Sequence, residues 1–208
     1  MNTSQIIFWN VDTQIDFVEP EGKLYVSGAE LLKPVWGKIT ELAAKQNIGV
    51  VNTADYHYKN SAELSAAPDF VSTFPEHCMA TTSGAEYVRE TLPSDAVVFD
   101  WDKEYLNVKE LITKRNIVIR KDAFDVFAGN PYTELILKNL SPKTVVVYGV
   151  TTNVCVNDAV VGLAKRVDKV YVIEDAIKEL PNIPLPFENW KKLGVKMIEF
   201  EELVGILE

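Results

Sequence analysis

Short apolar runs alternate with segments of helical periodicity along the whole chain. The runs are rich in β-branched residues, have the length of buried strands, and lie at 6–11, 48–53, 96–99, 117–120, 144–150, 169–173 and 195–200. Apolar positions at helical spacing predict helices at 30–46, 105–115, 131–139 and 154–166, with a further helix before the last strand. This alternation predicts one α/β domain over residues 1–208, with a mostly parallel sheet covered by helices on both faces.

One long segment, residues 55–95, interrupts the alternation. It contains both histidines of the protein, His57 and His77, together with several aromatic residues. Long irregular segments in compact domains are usually functional loops or disordered, and the aromatic and histidine content favours an ordered loop here. We therefore expect this segment to carry part of a functional site.

The charge and cysteine content narrow the classes of function. The chain has 21 basic and 30 acidic side chains, a net charge of −9, which argues against nucleic acid or an anionic membrane as a partner. Its two cysteines are too few for a disulfide framework and fit a reducing compartment. The N-terminus lacks the basic flank of a secretion signal, and no apolar run reaches the length of a membrane span. These features predict a soluble, cytoplasmic protein.

Cys155 lies where the predicted strand 144–150 turns into the predicted helix 154–166. Unpaired N–H groups and the positive end of the helix dipole gather in the first turn of a helix, and both favour a thiolate. Cys155 is therefore a candidate nucleophile. The alternative is a small buried apolar residue, and the position of Cys155 alone favours that interpretation.

Three charged residues stand at the ends of other predicted strands: Asp12, Asp55 and Lys121. Each has an ordinary explanation, because aspartates often begin turns and a lysine is usually a surface charge. The carboxyl ends of parallel strands meet at one edge of a sheet, where ligands bind. An aspartate and a lysine beside Cys155 would supply a proton acceptor and a cation that favours the thiolate.

A second group consists of Asp55, His57, Glu63 and His77. Carboxylates and imidazoles are the ligands of divalent transition metals, and the Asp-x-His spacing aims two side chains from one strand end in a similar direction. Two carboxylates and two neutral imidazoles would balance the charge of a divalent ion. Histidines that merely pack in the core or lie at the surface are an equally weighted alternative on this pattern alone.

Five segments, spread in order over nearly the whole chain, carry a known family pattern. They are VDTQIDF at 11–17, TADYH at 53–57, FPEHC with the following SGAE at 74–86, the Lys-x-x-Phe-x-x-Phe spacing at 121–127, and GVTTNVCV at 149–156. Together they resemble the nicotinamidase/pyrazinamidase branch of the isochorismatase-like cysteine hydrolases. The Asp-x-His element and the later histidine point to this branch, because many relatives lack a metal.

The resemblance implies a three-layer α/β/α sandwich with a doubly wound sheet. It implies that Asp12 is the general base, Lys121 its charge partner and Cys155 the nucleophile. It also implies a cis peptide between Val150 and Thr151, with the backbone N–H groups of Thr151 and Cys155 forming an oxyanion hole.

The resemblance assigns further residues and a cofactor. The implied metal ligands are Asp55, His57, Glu63 and His77; the implied substrate-binding rings are Phe17, Phe74, Phe124 and Phe127. Zinc is the expected ion, with iron or manganese as alternatives, and a homo-oligomer is expected. Glu63 falls where relatives carry either a third histidine or a carboxylate, and Phe74 replaces a frequent tryptophan. Cys78 is interpreted as a packing residue.

The resulting hypothesis is the hydrolysis of nicotinamide, or of a similar small aromatic amide such as pyrazinamide, to the acid and ammonia through a thioester on the cysteine. Such an activity would belong to NAD salvage. Two alternatives stay open: a relative that hydrolyses another small amide or ureide with a vestigial metal site, and a non-catalytic metal- or ligand-binding α/β module. The combined set of Asp12, Lys121 and Cys155 argues against the module, because binding alone needs no activated thiol.

Overall fold

The structure, a computed structural model that describes residues 5–207, is built on one seven-stranded sheet. Every strand pair is parallel, and the strand order is β3-β4-β2-β1-β5-β6-β7. The strands are β1 Ile6–Val11, β2 Gly49–Asp55, β3 Val97–Phe99, β4 Asn116–Lys121, β5 Thr144–Val150, β6 Lys169–Lys178 and β7 Lys196–Ile198. The predicted parallel α/β fold is confirmed.

Helices cover both faces of the sheet. They are α1 Ile15–Val18, α2 Lys33–Lys45, α3 Val108–Leu111, α4 Val126–Gly129, α5 Thr133–Leu140, α6 Cys155–Ala164, α7 Phe187–Lys192 and α8 Phe200–Leu207, with 3-10 turns at Ala29–Leu32 and Ser83–Ala85. Neighbouring strand residues point to opposite layers, so Phe8 packs with α2 and α8 whereas Trp9 packs with α5 and α6. Within the described residues, no helix is long and apolar enough to cross a membrane.

The predicted helix at 105–115 is wrong over most of its length, because only Val108–Leu111 is helical. Polar contacts hold the preceding chain in another conformation. The Tyr105 hydroxyl donates to the Val98 carbonyl and accepts from the Asp100 N–H, while the Tyr105 N–H donates to the Tyr132 hydroxyl. These long-range bonds override the local helical spacing.

The end of the chain also differs from the sequence prediction. The last strand ends at Ile198 rather than at residue 200, and α8 follows it. The Phe200 N–H donates to the Asp175 carboxylate, and Leu203 and Leu207 are buried against the sheet. The apolar residues at the end of the chain are therefore divided between β7 and α8.

The sheet has its switch point between β1 and β5. The chain leaves β1 toward β2 on one side and leaves β5 toward β6 on the other. Val11 is level with Gly149 at the ends of these strands. Ligands in open α/β sheets bind at such a point, outside the carboxyl ends of the strands. The turns that carry Asp12 and Cys155 both start there.

Residues 56–95 form an ordered loop beside this switch point, as predicted. Single bridges pair His57 with Met79, Leu64 with Phe74, and Gln14 with Tyr87. The last of these joins the loop to the chain that follows β1. The loop therefore brings its two histidines to the same edge of the sheet as the strand-end residues.

Candidate active site

Asp12 follows β1 in a left-handed conformation, with φ of 46°. The side chain is completely buried. One carboxylate oxygen, Oδ1, accepts a 2.6 Å hydrogen bond from the Thr53 hydroxyl. The other, Oδ2, lies 3.0 Å from the Lys121 ammonium without the alignment of a hydrogen bond. Asp12 is thus fixed through one oxygen and retains a free lone pair on the other for a proton.

Lys121 ends β4 and is 1% exposed. Its ammonium donates to Oδ1 of Asp55, lies against Asp12, and approaches the Cys155 sulfur to 3.7 Å. Burial alone would lower the pKa of Lys121, but the two carboxylates outweigh it and hold that pKa well above its usual value. Lys121 is therefore a fixed positive charge at the centre of the site.

Cys155 is the first residue of α6 and is 5% exposed. Its sulfur and one carboxylate oxygen each from Asp12 and Asp55 all lie within 4.8 Å of one another. The structure therefore brings together the proton acceptor, the cation and the thiol that the sequence placed on separate strand ends.

The electrostatics of the thiol differ from the sequence expectation. Burial raises the pKa of Cys155 well above its usual value, and Lys121 offsets this only in part. A raised pKa favours the neutral thiol. Burial also raises the pKa of Asp12, which makes this carboxylate a stronger base. A carboxylate with a raised pKa beside a buried thiol is suited to accept the proton of that thiol.

The turn after β5 offers two backbone donors beside the sulfur. The peptide between Val150 and Thr151 is cis, as the resemblance implies. Within residues 5–207, the N–H groups of Thr151 and Cys155 donate to no other backbone or side-chain group, whereas the Thr152 N–H donates to the Lys178 carbonyl. Two such free donors beside a thiol are suited to stabilise an oxyanion.

A candidate metal centre adjoins the thiol. Oδ2 of Asp55 lies 3.8 Å from Nε2 of His57 and 3.7 Å from Nε2 of His77, and these three side chains are buried. On the far side of the rings, Nδ1 of His57 contacts the Asp122 carboxylate and Nδ1 of His77 contacts the Pro75 carbonyl, each at 2.8 Å. These acceptors favour the Nδ1–H tautomers, which leave both Nε2 lone pairs free.

The donor set fits a divalent ion. Nε2 of His57 is buried and has no hydrogen-bond partner among the described residues, which is costly unless a ligand satisfies it. One carboxylate and two imidazoles converge on one point, and the outer nitrogens of both rings are fixed by hydrogen bonds. Such convergence, with the outer ring nitrogens already held by the Asp122 carboxylate and the Pro75 carbonyl, fits a metal site.

Glu63, the fourth predicted ligand, lies outside the group of ligand atoms within 4.8 Å of one another. Its Oε1 accepts a 2.7 Å hydrogen bond from the Phe124 N–H, and its Oε2 is buried without a partner among residues 5–207. Burial raises the pKa of Glu63 to about 7. The role of Glu63 as a ligand stays a prediction.

A narrow, apolar cleft opens onto the thiol and the candidate metal centre. Its walls include Phe17, Phe74 and Phe124, three of the predicted substrate-binding rings. The Phe74 and Phe124 rings meet edge to face with their centroids 5.5 Å apart, and the Phe17 centroid lies 5.3 Å from that of His77. A flat, uncharged ring is the ligand that such walls suit.

The structure does not bring Phe127 to the cleft. Its ring stacks at 6.3 Å on Trp9, contacts Gly162 closely, and lies 4.0 Å beneath the Arg166 guanidinium. Asp125 caps α4 between the two phenylalanines by accepting from the Phe127 N–H, so the chain changes direction between them. The substrate-binding role expected for Phe127 has no support at this position.

Several contributors were not predicted. Leu24, Val154 and Leu180 line the cleft, and the Asn153 amide holds the Leu180 loop through hydrogen bonds with the Leu180 N–H and carbonyl. No local signal in the sequence marks the three apolar residues as part of a site, because their role depends on how distant loops meet.

Two motif residues outside the predicted set hold the backbone beside the candidate metal ligands. The Gln14 side chain accepts from the Asp55 N–H and donates to the Asp55 carbonyl. The Asp16 carboxylate accepts a 2.7 Å hydrogen bond from the N–H of Cys78, which directly follows His77. Both residues belong to the motif VDTQIDF at 11–17, and this membership could have indicated a supporting role in the site. The Cys78 side chain is fully buried in the apolar core, which agrees with the predicted packing role.

Comparison with known proteins adds a family and several relatives. The isochorismatase domain matches residues 6–183. A nicotinamidase/pyrazinamidase of Mycobacterium tuberculosis is 34% identical over 77 residues, which is 37% of this chain and 40% of that protein. The pyrazinamidase of Pyrococcus horikoshii in complex with zinc superposes with a TM-score of 0.73 at 25% identity, covering 94% of this chain and 99% of that one.

A third similarity concerns the fold alone. The N-carbamoylsarcosine amidase of Thermoplasma acidophilum superposes with a TM-score of 0.71 at 21% identity, covering 94% of this chain and 96% of that one. Fold similarity at this level does not transfer a substrate.

Proposed function

Because the chain belongs to the isochorismatase domain family, we propose that it hydrolyses small aromatic amides, foremost nicotinamide to nicotinate and ammonia. The observation that carries this proposal is the meeting of a thiol, a buried base and a metal-ligand set at one apolar cleft. The similarity to nicotinamidases and pyrazinamidases over part or most of the chain supports the same substrate class.

Substrate binding uses the walls of the cleft. The aromatic ring lies among Phe17, Phe74 and Phe124, with its carboxamide toward the Cys155 sulfur. Asp55 and the two histidines would hold a divalent ion there, which supplies a Lewis-acid contact for the ring nitrogen. The walls exclude water from the reacting groups and restrict the approach of the amide to the sulfur.

The chemical steps use Asp12 as the proton carrier. Oδ2 of Asp12 accepts the proton of the Cys155 thiol, and the sulfur attacks the amide carbon. The oxyanion is stabilised by the N–H groups of Thr151 and Cys155. Asp12 returns the proton to the leaving nitrogen, the C–N bond breaks, and ammonia departs. A water molecule, deprotonated by Asp12, then hydrolyses the thioester to the acid and restores the thiol.

The second candidate is the hydrolysis of a small carbamoyl acid or ureide. The residues that line the cleft include no lysine or arginine, and Lys121 is already paired with two carboxylates. A substrate carboxylate would therefore lack a cationic side chain in the cleft, which favours the uncharged aromatic amide. The test is ammonia release from nicotinamide, pyrazinamide and N-carbamoylsarcosine at equal concentrations. Faster release from the carbamoyl acid would replace our proposal with this candidate.

The two neighbouring phenylalanines give a matched pair of variants. Phe124→Ala removes a wall of the cleft, and we expect KM for nicotinamide to rise by about tenfold, the equivalent of a lost aromatic contact of about 1–1.5 kcal/mol. Phe127→Ala removes a ring that packs on Trp9, and it should lower the free energy of unfolding by about 2–3 kcal/mol while KM is unchanged. Steady-state kinetics and denaturant unfolding check both. If KM for nicotinamide rose more in Phe127→Ala than in Phe124→Ala, the Phe127 ring would have to be assigned to substrate binding.

Asp122 should determine how tightly the metal binds. Its Oδ1 contacts Nδ1 of His57 and also accepts from the Ser61 hydroxyl. Asp122→Ala should weaken metal affinity by about 10–100-fold, because it releases the ring orientation and tautomer of His57. Ser61→Ala is the control, since it removes the other hydrogen bond to the same oxygen and should leave affinity nearly unchanged. Competition with a chromogenic chelator measures both; equal affinities in Asp122→Ala and wild type would contradict the prediction.

A further inference from the structure

The buried site contains two groups of three side chains with the chemistry of a metal site, and both include Asp55. The first group is Asp55, His57 and His77; the second is Asp12, Asp55 and Cys155. In each group the ligand atoms lie within 4.8 Å of one another. Thiolate and carboxylate are zinc ligands, as imidazole and carboxylate are. A divalent ion therefore has two possible positions. At the second it would bind the sulfur of Cys155, the proposed nucleophile.

Lys121 stands within the second group. Its ammonium is 3.0 Å from Oδ2 of Asp12, donates to Oδ1 of Asp55, and is 3.7 Å from the Cys155 sulfur. An ammonium has three donors and no lone pair, so it acts as a cation among three acceptors and never as a metal ligand. In the part of the chain that the structure describes, Lys121 contacts the first group only through Oδ1 of Asp55.

The two carboxylate oxygens of Asp55 have different partners. Oδ1 accepts from Lys121, whereas Oδ2 faces Nε2 of His57 at 3.8 Å and Nε2 of His77 at 3.7 Å. One carboxylate thus serves the lysine on one side and presents an oxygen to the histidine pair on the other.

We propose that Lys121 keeps divalent metal away from the nucleophile and directs it to the histidine side of Asp55. A zinc ion lies about 2.0–2.3 Å from its ligands, so its position among Asp12, Asp55 and Cys155 would coincide with that of the ammonium. Two cations cannot share that buried space, because their repulsion there is poorly screened. The inference rests on the metal centre of the proposed function, and not on the identity of the amide.

The test is cobalt binding to the metal-free protein and to Lys121→Met, which keeps most of the side-chain length and removes the charge. Wild type should bind one equivalent of Co²⁺ without a thiolate-to-cobalt charge-transfer band. The variant should bind a second equivalent and show the band. Lys121→Met combined with Cys155→Ser should lose the band, which assigns it to that sulfur. Circular dichroism confirms that the variants are folded.

A measurement on wild type keeps the proposal testable if the variants do not fold. One equivalent of bound metal should not lower the rate of Cys155 alkylation by iodoacetamide, since the ion is not on the sulfur. Three results would overturn the proposal. In the first, that equivalent of metal protects the thiol; in the second, wild type binds no metal. In the third, folded Lys121→Met binds one equivalent and shows no charge-transfer band. Wild type that binds one ion, keeps Cys155 reactive and yet releases no ammonia from nicotinamide would contradict only the amidase function.

Discussion

Cys155→Ala is expected to abolish turnover of nicotinamide, with kcat lower by on the order of 10⁵-fold or more, as when other covalent nucleophiles are removed. No other thiol can take its place, because Cys78, the second cysteine, is fully buried in the apolar core. The metal ligands are untouched, so the variant should retain its metal. Ammonia release and metal content, measured on the same sample, check both expectations.

Cys78→Ala is the matched control for the loss of a cysteine. Its side chain packs in the core, and its contribution to the site is the backbone N–H that Asp16 accepts. We expect kcat within the range of wild type and a loss of stability of about 1–2 kcal/mol from the cavity. Substantial activity in Cys155→Ala would exclude the thioester mechanism, and an inactive but folded Cys78→Ala would show that the site extends to that residue.

Asp12→Asn has the second-largest expected effect, a fall in kcat of about 10²–10⁴-fold, the usual contribution of a general base. Asparagine tolerates the left-handed backbone that this position requires, so the turn should be preserved. The amide cannot accept the thiol proton, and the raised pKa of Cys155 leaves little thiolate without that transfer. Stopped-flow or steady-state kinetics at matched metal content measure the fall.

Thr53→Val separates the orientation of Asp12 from its basicity. The Thr53 hydroxyl holds Oδ1 of Asp12 at 2.6 Å, while the proton is received at Oδ2. Loss of this bond should lower kcat far less than Asp12→Asn does, because the base is still present.

If Asp12→Asn retained nearly full activity, another group would have to accept the proton, and the assigned role of Asp12 would be wrong.

The central features of the fold were predictable because they depend on local patterns. Strands buried on both faces are nearly continuous apolar runs, as in Thr144–Val150, and such runs are visible in the sequence. The carboxyl ends of parallel strands lie at one edge of a sheet, which is why Asp12, Lys121 and Cys155 could be grouped before their distances were known.

The remaining features depend on contacts between distant parts of the chain. The Tyr105 segment is held by Tyr132, which lies 27 positions away, and its local helical spacing gives no sign of this. Phe124 and Phe127 share one motif, yet Asp125 caps α4 between them. Phe124 therefore lines the cleft, whereas Phe127 packs on Trp9. Burial, more than any neighbouring charge, raises the pKa of the Cys155 thiol, whereas the sequence showed only the helix start. Tertiary packing decides each of these outcomes.

The most direct test of the proposed activity is ammonia release from nicotinamide by purified protein of measured metal content, before chelation, after chelation and after the metal is restored. The proposed mechanism predicts turnover with equal amounts of nicotinate and ammonia, a fall on chelation, recovery with metal, and no turnover in Cys155→Ala. Protein that binds metal and carries a reactive Cys155 but releases no ammonia from nicotinamide would contradict the proposal.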